Sequence, residues 1–311
     1  MAIITPTRET AAAKSKPRVR APKTTPTERA LNVGAHSFLV FWAAMVIIPL
    51  LWVFLSAFKD DSQIIRDPLS FIPNSLHWSN FRRAWSKGHI GDYLGNTVLI
   101  LAFGVTLTML LGSMAAYVLA RFDFWGNRAI YYMFVAGLTL PVFMAAVPLY
   151  TNTLDMDDTF PLLGINSRVM LVMVYIAWSL SFTIFFMHAF FRTLDSSVAE
   201  AALVDGASHT RTFFQVMLPM AKPGLISIGI FNVIGQWNQW YLPTVVMNPS
   251  GGETAHKVLA QGLLDLSLSQ GYKSDWSGMF AGLTLAMLPV IAVYTVFQRQ
   301  VQAGLSVSVT K

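Results

Sequence analysis

Apolar and polar positions in this chain fall into long blocks rather than short alternations. Six stretches, near Ser37–Phe58, Thr97–Ala120, Ala129–Tyr150, Val169–Phe191, Gly224–Met247 and Gly278–Phe297, are almost free of charge. Each runs for roughly 20–24 residues, enough for a helix to cross a hydrocarbon layer about 30 Å thick. The pattern predicts an all-α, polytopic membrane protein with six transmembrane helices. Residues 1–34 are polar, basic and rich in Thr, Pro and Ala, which predicts a disordered tail. The membrane domain is expected over 35–305, and a short C-terminal tail over 306–311. No small-residue cleavage site follows the first apolar block, so that block is expected to stay in the mature protein.

Charge sets the orientation. With the N-terminus placed inside, 14 of the 22 Lys and Arg fall on the inner side, as do 6 of the 16 acidic residues. Basic residues are held on the cytoplasmic face of membrane proteins, so both termini are expected in the cytoplasm. The same bias accounts for the formal charge of +6 without nucleic acid as a partner. Charged residues make up only 12% of the chain, about half the share in a soluble domain, which again calls for an apolar solvent.

Several chemistries are excluded by what is missing. The chain has no cysteine, hence no disulfide, thiol nucleophile or cysteine-held metal. No G-x-x-x-x-G-K-[ST] run is present, so no phosphate-cradling loop of that kind is expected. No nucleophile–base set or metal cluster stands outside the spans. His188 is the one residue of the Asp, Glu, Lys, Arg and His set inside them, at the inner end of the fourth, where a satisfied interfacial histidine is the simple reading. Ion-coupled carriers place charged groups in the membrane, and this chain does not. No catalytic residue is assigned, and any driving energy must come from another chain. Pro49, Pro141, Pro148 and Pro289 fall inside spans and read as kinks.

The inner loop at 192–222 is long and patterned, and such loops tend to carry function. Ser197 with Glu200 fits a capping box opening a helix at Val198. Ala199, Ala201 and Ala202 are strong helix formers with small side chains. Gly206 suits the left-handed turn that closes a short helix. Ser208 or Thr210 caps a second short helix running to about Met217, and Pro219 and Pro223 interrupt the chain before the fifth span. The expected element is a short helix with an exposed alanine face, a glycine bend and a second short helix at the cytoplasmic surface.

This loop resembles the EAA---G---------LP signature of ABC importer permeases: Glu200-Ala201-Ala202, Asp205-Gly206 and Leu218-Pro219 stand at the matching spacing. Pro141 and Pro148-Leu149-Tyr150 are similar to the family's third-span pattern, Phe231, Trp237-Asn238 and Pro243 to its fifth-span motif, and Gln298-Arg299 and Gly304-Leu305 to its C-terminal end. The resemblance covers about 35–305 and is nearest the carbohydrate branch, similar to the smaller maltose-type permease. Ser181 and Asp195 stand where prolines are common, and the tail from Ser306 to Lys311 lacks the usual Gly-Ala-Val-Lys ending.

The resemblance implies a permease subunit of an ATP-driven sugar importer. Its partners would be a second, different permease, a cytoplasmic ATPase dimer and an extracytoplasmic sugar-binding protein. ATP and Mg²⁺ would sit on the ATPase, and this chain would bind no cofactor. Glu200 would pair with a basic group of the ATPase, and Gly206 would let the loop fold back. A disaccharide or an amino sugar such as N-acetylglucosamine oligomers is the favoured cargo. A permease for a non-sugar solute, or a channel or carrier working alone, are the alternatives. In the fifth span, Asn232, Gln236, Gln239 and Pro243 share a helical face. With Trp237, Asn238 and Trp240 they are candidates for the substrate path. Two readings stay open: pore lining, with tryptophans stacking on sugar, or amides bonding neighbouring helices with tryptophans as interface anchors.

Overall fold

The computed structural model describes residues 25–247, 256–273 and 275–306. Helices make up nearly all the regular structure, and the described residues contain no strand. In chain order they are α1 (Pro26–Ser56), α2 (Asp61–Arg66), α3 (Ser79–Ser86), α4 (Ile90–Arg121), α5 (Asn127–Gly137), α6 (Ala146–Thr159) and α7 (Arg168–Thr193). Then follow α8 (Ser196–Val204), α9 (His209–Thr212), α10 (Leu218–Met220), α11 (Lys222–Trp237), α12 (Tyr241–Val246), α13 (Leu259–Lys273) and α14 (Trp276–Ser306). The chain divides into two compact units, one reaching to Leu51 and the other starting at Trp52. In the first, α1 is apolar on all sides through Phe38–Leu51, as a helix in lipid is. It opens at Pro26, so residues 26–34, read from sequence as tail, are helical; Pro costs nothing in a first turn, where its missing N–H has no partner to lose. Residues 1–24 and 307–311 lie outside the described residues.

Four helices, α1, α4, α7 and α14, are long and apolar enough to span a membrane. Two further pairs reach that length only as bent pairs. The third sequence segment, read as one span over Ala129–Tyr150, is broken: α5 ends at Gly137, and the helical stretch from Val142 to Thr159 departs at 98°. Pro141 causes the break, because it donates no N–H and forces the residue before it out of helical geometry. It is itself extended, with ψ of 131°. The fifth segment, read over Gly224–Met247, is not one helix, and a bend stands just ahead of it, at Ala221. The stretch His209–Met220 meets α11 at 77°, and α11 stops at Trp237 before the short α12.

Within the second unit, α4 and α7 form the main helix pair, and α11 packs against both and against α14. One core gathers Ile90, Tyr93, Phe280 and Ala281 where α4, α13 and α14 meet. Polar ties close that end: Arg83 reaches Asp275 at 3.0 Å and Ser277 at 2.8 Å, and the Asp61 carboxylate accepts from the Ser277 N–H at 2.8 Å. A second core lies at the other end of α4 and α7. It gathers Tyr117, Ile184, Met187, Phe191, Phe213 and Met217, and it is the foundation of the 192–222 loop.

Candidate functional site

The loop begins where α7 ends. Helix α8 opens at Ser196, and its cap is Asp195, whose carboxylate accepts the Ser197 N–H at 2.9 Å. That corrects the capping box read from sequence: Ser197 lies inside the helix and Glu200 is free of capping duty, exposed on the surface. The Ser197 backbone N–H, then its side chain, hold the Asp195 carboxyl below the ordinary carboxylate range. An acid at a helix start is also favoured by the helix dipole.

The far end of α8 closes as the sequence predicts. Gly206 sits at φ +84°, in the left-handed region. The Gly206 N–H reaches the Leu203 carbonyl and the Ala207 N–H reaches the Ala202 carbonyl, both at 3.0 Å, the pair of bonds that defines a Schellman cap. A Cβ at Gly206 would meet nothing within 4 Å, so glycine is required there by backbone conformation alone. Ala201 and Asp205 are exposed, Ala202 is half-buried, and Ala199 packs inward on the second core. Leu203 and Val204 add an apolar tip, Val204 being 88% exposed, which the alanine-based reading missed.

Ser208 caps the next helix by accepting the Arg211 N–H at 3.3 Å. The chain continues through a π-helical turn over Phe213–Met217 into α10, with Leu218 half-buried on the second core and Pro219 exposed in a first turn. The sequence reading stopped this helix near Met217; the break falls at Ala221, because a proline at the first turn of a helix removes no bond. Arg121, at the end of α4, donates to the carbonyls of Phe191 at 2.8 Å and Leu194 at 2.6 Å, satisfying the last turn of α7 and fixing the root of α8. The ring of Phe122 lies 5.3 Å from that of His209. Neither contact has a sequence signal beyond an arginine at a span end.

In the membrane interior, α11 and α7 are joined by two rungs. The Asn232 amide donates to the Thr183 hydroxyl at 2.9 Å, and the Gln236 amide donates to the Ser179 hydroxyl at 3.1 Å. The partners on each helix are four residues apart, so the rungs stack. Gln236 is held from behind by α4: a Cβ on Gly104 would come within 2.7 Å of its Oε1. The structure thus gives these amides interhelix bonds, and it also puts both on the wall of a cavity of about 360 Å³. Tyr175, Trp178, Phe182 and Phe231 supply its aromatic faces.

Gln239 joins the cavity wall from the turn after α11. Its side-chain oxygen accepts the Tyr241 N–H at 3.1 Å, and its backbone carbonyl accepts the Tyr175 hydroxyl at 3.3 Å. Pro243 has no N–H to offer that carbonyl, so the tyrosine takes the place of a helical bond. The remaining candidates diverge. Trp237 packs into the first core, Asn238 is exposed and bonds back to the Ile234 carbonyl, and Trp240 is exposed against Tyr241. Ser179 and Thr183 were missed by the sequence reading; their four-residue spacing, matching that of Asn232 and Gln236, is the signal that would have found them.

Residues 108–307 match the family described as binding-protein-dependent transport system inner membrane component. This chain belongs to that family. The permease is 44% identical to the diacetylchitobiose uptake system permease protein NgcG of Streptomyces coelicolor over 280 residues, covering 90% of this chain and 89% of that one. It is 25% identical to the diacetylchitobiose uptake system permease protein DasC of the same organism, covering 86% and 92%. Its fold matches a chain of a bacterial ABC transporter that imports the acidic polysaccharide alginate, with a TM-score of 0.72 at 19% identity, covering 90% and 99%. The permease is therefore a multi-pass membrane transport subunit.

Proposed function

We propose that this permease forms one of the two membrane halves of an ATP-driven importer for a disaccharide of the diacetylchitobiose class. Each bent pair counts as one span, giving six, with both termini in the cytoplasm. The relatives named above support the cargo, since both are diacetylchitobiose permeases and one aligns along nine-tenths of the chain. The observation that carries the mechanism is the Schellman-capped α8, rooted by Arg121 and presenting Glu200, Ala201 and the Leu203–Val204 tip outward.

In this reading a cytoplasmic ATPase dimer grips α8, with Glu200 against a basic group. ATP and Mg²⁺ belong to the ATPase, and this chain binds no cofactor. Closure of the ATPase moves α8, and the second core transmits the motion to α4, α7 and α11. A conformational change of this kind needs ligands that bind its two states unequally; ATP and a loaded extracytoplasmic binding protein are those ligands. A second, different permease completes the pathway. Asn232, Gln236 and Gln239 line the path, while Trp237, Asn238 and Trp240 stand outside the cavity wall.

Co-expression with the ATPase, the second permease and the binding protein tests this. A stable complex that takes up labelled diacetylchitobiose only with ATP is expected. Uptake by the isolated chain without ATP, or an intact transport complex after deletion of 198–206, overturns it.

A further inference from the structure

The cavity between α7 and α11 has a composition that the proposed path alone does not explain. Of its twelve lining residues, none is Asp, Glu, Lys, Arg or His. Its polar groups are the hydroxyls of Tyr175 and Ser179 and the amides of Asn232, Gln236 and Gln239. Trp178, at 40% exposure, and Phe231, at 37%, offer large aromatic faces. The volume of about 360 Å³ lies within the range of small-molecule sites, at its lower end. Ser179 stands near the middle of the 26-residue α7, so the cavity sits at mid-depth of that helix.

We propose that this cavity is a subsite for a single uncharged pyranose unit, and that it selects against anionic sugars. The inference rests on the sugar-import reading above and assigns a recognition role to this chain itself. A pyranose presents an apolar face and a ring of hydroxyls. Trp178 or Phe231 takes the apolar face, as aromatic rings do. The Ser179 hydroxyl, which accepts from Gln236, keeps its own proton to donate, and the Gln239 amide, whose oxygen is taken by the Tyr241 N–H, keeps its N–H donors, so both meet hydroxyl or acetamido oxygens of the sugar. A carboxylate or phosphate would leave water for a wall with no cation to meet it, at a cost far above that of a neutral group. A uronate unit is therefore excluded, and an N-acetylated hexose is accepted.

The test uses the complete importer in nanodiscs and proteoliposomes. Binding of labelled diacetylchitobiose and of a uronate disaccharide is measured without the binding protein; ATP-driven uptake and binding-protein-stimulated ATP hydrolysis are measured with it. Saturable binding of the neutral sugar and none of the uronate is expected. Trp178→Ala lowers binding and uptake about tenfold, on the order of one stacking contact, while stimulated ATP hydrolysis is kept. Trp178→Phe retains all three. Phe231→Ala provides a second arm if Trp178→Ala fails to assemble. Equal binding of the uronate, or uptake unchanged in both alanine variants, overturns the subsite and leaves the importer reading standing. A wild-type complex that carries no diacetylchitobiose overturns the proposed function and the subsite with it.

Discussion

The 192–222 loop and the α7–α11 interior use similar ingredients in opposite ways. Both combine small residues with polar side chains. In the loop, the geometry is local: Asp195 caps one end of α8, Gly206 closes the other, and each bond spans five residues or fewer. In the interior, the geometry is tertiary: Asn232 meets Thr183 and Gln236 meets Ser179 across 49 and 57 residues of chain. A local device survives displacement of its surroundings, so it suits an element that a partner must move as a rigid piece. A tertiary ladder exists only in one relative placement of two helices, so it suits a wall whose shape defines a site.

The sharpest break in this comparison is at Gly206. Gly206→Val places a β-branched residue at φ +84°, where strain is on the order of 1–3 kcal/mol. Nothing within 4 Å of the new Cβ would be disturbed, so the damage is confined to the cap. Uptake is expected to fall about 5- to 150-fold, by the same strain converted to a ratio. Thermal unfolding of the membrane part is expected to stay at its wild-type midpoint. A normal uptake rate would mean that α8 does not need its shape.

Gly104 gives the opposite result. Gly104→Ala drives a methyl to within 2.7 Å of the Gln236 Oε1, the end of a flexible side chain, so the amide must shift and strain its rung. Overpacking of this kind costs about 1–3 kcal/mol. The expected signature is a lowered unfolding midpoint with ATPase association intact. If Gly104→Ala instead releases the ATPase, the separation of the two regions fails.

This contrast explains how much could be read beforehand. The six apolar blocks were legible because span length is set by bilayer thickness alone, and four of them stand as single long helices. The breaks at Pro141 and after Trp237 were only partly legible: proline marks where a helix bond is lost, while the 98° departure depends on what the freed chain packs against. Within the loop, Gly206 and Ser208 were readable, since their roles lie in bonds to immediate neighbours. Asp195 was overlooked as the cap because Ser197 and Glu200 offered a rival pattern. Arg121 and Trp178 were invisible, since an arginine at a span end and a tryptophan in a span each have commoner duties, and only packing reveals these.

The rungs themselves are weaker than their burial suggests. A double-mutant cycle of Asn232→Leu and Thr183→Val should return a coupling of about 0.5–2 kcal/mol, the range of interhelix hydrogen bonds in membranes. Equilibrium unfolding of the four proteins measures it. Coupling near zero would leave the amide free for cargo and remove its part in holding α7 to α11.

The smallest effect belongs to the N-terminal cap of α8. The Asp195 carboxyl has its affinity for protons lowered from the ordinary 3.8, chiefly by the Ser197 N–H. A group whose pKa falls on folding stabilises the folded form above its unfolded value, and loses that contribution as pH drops through the folded value. The cap is therefore complete at neutral pH and fades only below about pH 4, close to the carboxylate's unfolded value. Asp195→Asn keeps an acceptor for the Ser197 N–H and should preserve uptake across that range, whereas Asp195→Ala removes it at every pH. Amide hydrogen exchange at Ser197 and Val198 reads the difference directly. Exchange that is equally slow in Asp195→Ala would mean that the cap contributes nothing and that α8 is held open by the second core alone, through Ala199.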